Sequence, residues 1–216
     1  MDISKLYSHL GNTIYVCQAA AALWGVFCTI VVMTRIKASR FKNEDVQNEF
    51  LADMDQVLSA GDFGRAEQMC KEDPRAVPQL AAMAISNRDL GLTKAKQLVA
   101  DHFRRDLLAD LDYRLSWVQT VIKIAPMLGL LGTVLGMMSA FGKLAATTKV
   151  DPTQLADDIS FALITTAVGL AIAIPLMIAV ASMNVKMRKM EDQVATGLAR
   201  FFEIFRVSLS ERASAA

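Results

Sequence analysis

Residues 124–142 read IAPMLGLLGTVLGMMSAFG and are bordered by Lys123 and Lys143. No charged residue interrupts these 19 positions. At a rise of 1.5 Å per residue, a helix of this length spans about 28 Å, which is close to the thickness of the hydrocarbon core of a bilayer. The stretch is therefore predicted to be a transmembrane helix.

Small residues recur along one side of this predicted helix. They are Gly129, Thr133, Gly136 and Ala140, while another side carries the bulky residues Leu128, Leu131, Leu135 and Met138. Gly132 and Gly136 also form a GxxxG pair, which lets two helix backbones approach closely in lipid. We expect this pair to form a packing seam between subunits. The small-residue side either packs tightly against another helix or lines a lumen.

The chain contains two further uncharged runs besides residues 124–142. They cover residues 6–34, with the most apolar part at 14–33, and residues 159–185. Together they explain why 53% of the 216 residues are hydrophobic, and the formal net charge of +1 gives no reason to expect nucleic acid binding. We predict an all-α, three-span membrane protein whose long helices extend into a cytosolic helical stalk.

A cleaved secretory signal is the alternative interpretation of the first run. Residues 1–13, MDISKLYSHLGNT, are only weakly basic, and the apolar run that follows is longer than the apolar region of a typical signal. Because two more spans follow, a membrane helix is the better interpretation.

Basic residues predict the orientation of the spans. Four of them follow the first span and three follow the third: Arg35, Lys37, Arg40, Lys42, Lys186, Arg188 and Lys189. The positive-inside rule then places the N-terminus outside and the C-terminus in the cytosol. The predicted segments are a periplasmic N-terminus (1–12), transmembrane helix 1 (13–34), a cytosolic helical insertion (35–123), transmembrane helix 2 (124–142), a periplasmic loop (143–158), transmembrane helix 3 (159–185) and a cytosolic helical tail (186–216).

The cytosolic insertion is predicted to contain short helices followed by one long one. Apolar periodicity indicates helices at 43–60, 65–71 and 79–88, separated by glycines near residue 61 and by breaks at Pro74 and Pro78. Thr93 is a candidate N-cap for a helix that continues into the second span. Pro126 is expected to be accommodated there as a kink near the membrane surface.

The spans at 124–142 and 159–185 contain no Asp, Glu, Lys, Arg or His. An intramembrane protease or a self-sufficient proton relay needs ionisable groups at that depth, and the chain has no HExxH, GxSxG or P-loop motif. Cys17, Cys28 and Cys70 lack metal-ligand spacing, and a solvated or packing role is expected for His9 and His102. We therefore expect no enzyme activity, no catalytic residue, no metal and no cofactor.

Threonines are the notable polar residues of the last two spans. Thr133 lies in the small-residue side of the second span, and Thr166 lies in a matching stripe of the third with Ala162, Gly169 and Ala173. A threonine in such a helix often bonds the carbonyl of the preceding turn, which explains a single one. Two threonines in stripes on different helices favour a shared polar lumen, whose titratable group must come from a partner.

The chain resembles the MotA/TolQ/ExbB proton channel family. The resemblance rests on APMLGLLGTVLGMMSAF (residues 125–141) and ADDISFALITTAVGLAIAIPLMIA (residues 156–179), together with the three-span layout, and the size is closest to ExbB/TolQ-type subunits. It implies a homopentamer in the bacterial inner membrane, built around a dimer of single-span ExbD/TolR-type partners that carry the proton-binding Asp. The implied function is to use the proton motive force to energise a TonB- or TolA-type transducer for outer-membrane transport or envelope function.

The resemblance also implies roles for individual residues. Thr133 and Thr166 match the pore-lining threonines of the family, and the adjacent Thr165 is a third candidate. Helix-packing roles are expected for Gly129, Gly132, Gly136, Gly169 and Pro175. Phe161 stands where the family usually has a glutamate, and Asp157 and Asp158 lie one turn earlier. The alternative function is a non-conducting oligomeric membrane scaffold whose glycine stripes only assemble helices.

Overall fold

The computed structural model describes residues 3–146 and 152–215, with side chains described for 13–145 and 152–210. Its α-helices are α1 (Ile3–Ser39), α2 (Glu44–Ser59), α3 (Phe63–Lys71), α4 (Ala76–Ser86), α5 (Leu92–His102), α6 (Ala109–Ala146) and α7 (Pro152–Ala215). A 3-10 turn at Arg88–Leu90 precedes α5, and a π-helical segment at Phe103–Leu108 joins α5 to α6. Neither described range contains a strand, which confirms the all-α class.

Three parts of the described chain are helical, long and apolar enough to cross a membrane. They lie within Thr13–Ser39, Leu92–Ala145 and Pro152–Ser210. The three-span prediction with long helices is therefore confirmed. The predicted loop at 143–158 is shorter than expected, because α6 continues to Ala146 and α7 begins at Pro152. Residues 147–151 of that loop lie outside the described residues.

The chain divides into two compact units. The span unit comprises Met1–Val31 and Arg114–Ser182, and the insertion unit comprises Val32–Tyr113 and Met183–Ala216. In the span unit, α1 packs against both other helices, because a Cβ on Gly25 would come within 2.7 Å of Leu176 Cδ1 and 3.1 Å of Val121 Cγ1. Because residue 25 is glycine, the Leu176 and Val121 side chains have room to approach α1, and the three helices meet here.

The insertion unit has a core that its short helices build against the last part of α7. In α2 the buried positions recur every three or four residues, at Gln47, Leu51, Met54 and Leu58. Phe205 stacks on Phe201, with ring centroids 5.5 Å apart, and meets the edge of Phe63 at 6.4 Å. Asp62 begins α3 as its N-cap, since its Oδ1 accepts a hydrogen bond of 2.9 Å from the backbone N–H of Arg65.

Two predicted helix boundaries in the insertion are wrong. Pro78 does not break the chain but lies in the first turn of α4, where the missing N–H removes no intrahelical hydrogen bond. Thr93 is not an N-cap, because α5 already begins at Leu92. Gly91 precedes that helix with a φ of +81°, a conformation that suits glycine, so the glycine and not the threonine marks the boundary. The π-helical segment was not predicted.

Candidate functional site

In the span unit, α6 and α7 pack so closely that backbone lies against backbone. The two helices run antiparallel, since Gly136 lies against Asp158 and Ala162 while Gly169 lies against Ala125. Buried alanines recur along both helices, at Ala125 and Ala140 on α6 and at Ala162 and Ala173 on α7. The two small-residue stripes that the sequence predicts therefore face one another within a single chain.

Glycine is required along this contact because the opposing atoms are very near. A Cβ built on Gly129 would lie 2.8 Å from both Thr165 O and Thr166 Cα. On Gly132 it would overlap the Thr165 side chain, and on Gly169 it would lie 2.5 Å from Ala125 O. Backbone atoms cannot rotate aside as a flexible side chain can. A side chain at Gly129 or Gly169, where the opposing atoms are backbone, must therefore separate the helices.

This geometry changes the interpretation of the GxxxG pair. Gly132 and Gly136 are buried against α7 of the same chain, so their face is already occupied before any second subunit binds. The expectation that the pair forms a seam between subunits is therefore wrong. The spacing predicts close packing correctly but carries no information about which helix is the neighbour.

The predicted pore threonines Thr133 and Thr166 lie near the same turn of α6. Thr166 Oγ1 donates a hydrogen bond of 3.0 Å to Gly129 O, across the helix contact. Thr133 lies one turn after Gly129 and donates to Leu130 O at 2.6 Å. Both side chains are half-buried, so each keeps part of its surface open outside the helix pair. A hydroxyl that donates one hydrogen bond still has lone pairs that can accept one from water.

Thr165 has a different environment from Thr166. Its side chain is fully buried, with Oγ1 donating to Ala162 O at 2.8 Å and lying 3.4 Å from Gly129 O. A fully buried hydroxyl that bonds its own helix does not line an open surface. The structure therefore gives Thr165 a packing position, in contrast to the pore-lining role expected from the sequence.

In the single chain, Phe161 contacts α1 and the Pro175 side chain is exposed. The Phe161 ring is half-buried and meets the edge of the Tyr15 ring on α1, with centroids 5.4 Å apart. Pro175 lies inside α7 with an exposed side chain, and the described contacts give it no part in the α6–α7 pairing.

A polar cluster lies at the end of the α6–α7 contact that is nearest the predicted outer loop. Asp158 Oδ2 accepts from Ser139 Oγ at 3.1 Å and forms an ion pair with Lys143 Nζ at 2.7 Å. Asp157 is exposed beside it. These charges flank the spans, so acidic character is present at the end of the helix pair and absent from its middle.

Gln18 is a polar residue of the spans that the sequence analysis missed. It is fully buried in α1, and its Nε2 donates to Thr165 O at 2.9 Å. The signal in the sequence was an amide within an otherwise apolar run, and polar residues inside spans are commonly helix contacts or functional groups.

The middle of the α6–α7 contact has polar groups that can bond water, whereas its described ionisable side chains lie only at the end near the predicted outer loop. The polar groups in the middle are hydroxyls, backbone carbonyls and one amide, none of which titrates near neutral pH. Among the described side chains, no group of three or more His, Cys, Asp or Glu residues is arranged to hold a metal ion. The described side chains in the middle of this contact therefore include no ionisable group.

Comparison with known proteins identifies a matching family. The model of the MotA/TolQ/ExbB proton channel family matches residues 81–196, which is more than half of the 216 residues and includes the whole α6–α7 contact.

Individual relatives match over shorter or more divergent stretches. The chain is 55% identical over 53 residues to the biopolymer transport protein exbB1 of Vibrio cholerae, covering 24% of this chain and 23% of the relative. It is 49% identical over 63 residues to a putative biopolymer transport protein ExbB homolog of Methanothermobacter thermautotrophicus, covering 29% and 22%. It is 27% identical over 156 residues to the Tol-Pal system protein TolQ of Haemophilus influenzae, covering 71% and 62%. The matched part is thus less than two thirds of each of these relatives.

Proposed function

This chain belongs to the MotA/TolQ/ExbB proton channel family, and we propose that it is a subunit of an inner-membrane proton channel that uses the proton motive force to energise a periplasm-spanning transducer. Each proton that crosses 100 mV releases about 2.3 kcal/mol, so a few protons supply a useful mechanical step. The transducer is of TonB or TolA type, and the process is outer-membrane transport or envelope function. Similarity to both ExbB and TolQ proteins supports this class of function.

The observation that carries the proposal is the position of the two half-buried threonines. Thr166 bonds the Gly129 carbonyl and Thr133 lies one turn after Gly129, on spans that contain no Asp, Glu, Lys, Arg or His. A hydroxyl can both donate to and accept from water, so this turn is suited to a hydrated path. We assign Thr133 and Thr166 to the lumen and Thr165 to packing between the helices.

The proposed partner is a dimer of single-span ExbD/TolR-type proteins that supplies the acid. Beside Thr133, the surface of α6 forms a concave apolar patch lined by Val134, Met137, Met138 and Phe141. Three of these four side chains are at least half exposed in the single chain, at 50 to 61%. An apolar helix with one carboxyl group at the level of Thr133 fits this combination. The chain itself is proposed to form a homopentamer around the partner.

The scaffold alternative also has an observation in its favour. Both candidate pore hydroxyls already donate to backbone carbonyls, which is how a threonine behaves when it only packs in a helix. A measurement of proton conduction distinguishes the channel function from the scaffold function.

Reconstitution of the purified complex tests the proposal. We expect the chain, purified in mild detergent from its native host, to carry with it a short single-span protein that has an Asp or Glu in its span. The two proteins together should let protons enter liposomes under an imposed potential, and a partner whose acid is changed to the amide should not. A complex that assembles normally but conducts no protons would contradict the channel proposal and favour the scaffold function.

The proposed orientation has the N-terminus in the periplasm and the C-terminus in the cytosol. It is supported by the approach of Lys186 Nζ to within 3.7 Å of Met33 Sδ, which brings the residues after the third span beside the end of the first. The basic clusters at 35–42 and 186–189 then lie on one side of the membrane, as the positive-inside rule requires.

Cysteine labelling tests this orientation. In a Cys17→Ala/Cys28→Ala background, Thr148→Cys should react with a membrane-impermeant maleimide added outside spheroplasts, whereas Ser210→Cys should react only after permeabilisation. Residue 148 lies outside the described residues but between the second and third spans. The remaining Cys70 should not react with the maleimide. Burial, with the charges of Asp73 and Glu67, raises the pKa of its thiol to about 12. The opposite labelling pattern would reverse the assigned orientation.

A further inference from the structure

The peptide group of Thr165 is a point at which all three spans meet. Its carbonyl oxygen accepts a hydrogen bond of 2.9 Å from Gln18 Nε2 on α1. The same oxygen faces α6 so closely that a Cβ on Gly129 would lie 2.8 Å from it. One carbonyl of α7 is thus held between a side-chain amide and a glycine of two different helices.

Gln18 is a costly residue to keep at this position. Its side chain is fully buried in an apolar span, and its Oε1 has no hydrogen-bond partner among the described residues. An unsatisfied buried acceptor is unfavourable, and an apolar side chain of similar size would avoid the cost. Stability alone therefore does not account for an amide here. Directional bonds of buried polar groups are best known for selecting one arrangement of helices over others.

The arrangement that this bond selects determines where the next residue points. Thr166 follows Thr165 directly and bonds Gly129 O at 3.0 Å. A side chain lies about 5–6 Å from the helix axis, so a rotation of α7 by about 20° moves the hydroxyl by about 2 Å. That displacement breaks a hydrogen bond. The small residues of α6 and α7 set how closely the two helices approach, and the bond from Gln18 adds a directional contact to the Thr165 carbonyl that a rotation would distort.

We infer that Gln18 is a positioning residue that fixes the rotation of α7 against α6, and so holds Thr166 at the Gly129 carbonyl. The inference about conduction rests on the proposed function, whereas the inference about rotation does not. Gln18 touches neither the lumen surface nor the proposed partner, because it is fully buried within the chain. It acts through the carbonyl of Thr165.

A structurally similar residue in the insertion unit provides a matched control. Gln47 is also buried, donates from Nε2 to a carbonyl of α7 (Gln193 O, 3.0 Å) and has an unpartnered Oε1 among the described residues. Replacing it removes the same kind of bond without touching Thr165 or Thr166.

Spin labels at the exposed positions Met127 on α6 and Ile178 on α7 test the rotation, in complexes diluted with unlabelled subunits so that only distances within one chain are measured. Gln18→Met should broaden or shift the distance distribution, while Gln47→Met should leave it unchanged. Gln18→Met should also keep the melting temperature at or above that of the parent, since it removes an unsatisfied acceptor. An unchanged distribution in Gln18→Met would overturn the inference.

Proton flux through the same complexes tests the consequence for conduction. Per assembled complex, Gln18→Met should conduct about fivefold to tenfold less, the change expected when one hydrogen bond no longer favours one of two arrangements, and Gln47→Met should conduct normally. A Gln18→Met complex with undiminished flux would show that the amide does not position the pore. If the parent complex conducts nothing but Gln18→Met still broadens the distances, the positioning role stands and the proposed function fails.

Discussion

Gly169→Leu is expected to prevent α6 and α7 from packing, so that the chain no longer yields a stable complex in detergent. A Cβ at this position would lie 2.5 Å from Ala125 O and 3.2 Å from both Ala125 C and Pro126 Cα. All three are backbone atoms, so the helix itself must move. Inserting extra atoms into a packed core typically costs 1–3 kcal/mol, and we expect at least about 3 kcal/mol where backbone opposes backbone.

Size-exclusion chromatography and thermal unfolding in detergent measure this effect. Gly142→Leu is the matched control, because it places the same side chain on a glycine of α6 that has nothing within 4 Å of its Cβ position. Gly169→Ala should be intermediate, since it adds the clashing Cβ without the rest of leucine. A Gly169→Leu protein that elutes and melts like the parent would mean that this helix contact does not exist in the membrane.

The second expected result is that Thr133→Val/Thr166→Val assembles with its partner but loses most proton flux. Valine matches the volume of threonine and removes the hydroxyl, so packing should survive while the path loses the groups that hold water. The two lost hydrogen bonds, to Leu130 O and Gly129 O, should together cost only about 1–2 kcal/mol of stability. A small loss of stability with a large loss of flux distinguishes a lumen from a packing contact.

Flux into liposomes that contain the partner, normalised to the amount of assembled complex, measures this effect. Thr29→Val is the control, because Thr29 also lies in a span and donates to a carbonyl of its own helix, Gly25 O, at 2.8 Å. It should lose a hydrogen bond of the same kind and keep its flux. Full activity in the double valine variant would make the threonines packing residues and favour the scaffold.

Phe161→Glu is an informative companion to the double valine variant. It places an acid where the sequence resemblance implies a glutamate, at a residue that contacts the Tyr15 ring. If the exposed side of residue 161 faces water or the partner, the variant should insert and conduct. On a lipid-facing surface the carboxylate should cost up to about 2.5–3.5 kcal/mol and reduce the amount of protein in the membrane.

The three spans and most of the insertion helices could be predicted because they depend on local properties. Length and absence of charge define residues 124–142 as a span whatever surrounds them, and apolar periodicity placed α2 within one residue of its bounds, Glu44–Ser59. The glycine and alanine spacing of α6 and α7 likewise predicted close contact along those faces. Pro78 was misjudged because the effect of proline depends on whether it falls in the first turn or later in the helix.

Only the tertiary structure decided which surfaces meet. Gly132 and Gly136 had the spacing of a helix contact, but their partner proved to be α7 of the same chain. Thr165 and Thr166 are adjacent and chemically identical, yet one is fully buried and the other half-buried. Successive residues of a helix point about 100° apart, so the Thr165 side chain faces Gly132 while Thr166 keeps part of its surface open although it bonds Gly129 O. In the sequence, Gln18 is one polar residue in an apolar run, and its partner cannot be predicted. The position of α7 brings the Thr165 carbonyl to its amide. Sequence spacing defines the face of a helix, and the packing of the other helices decides what that face touches.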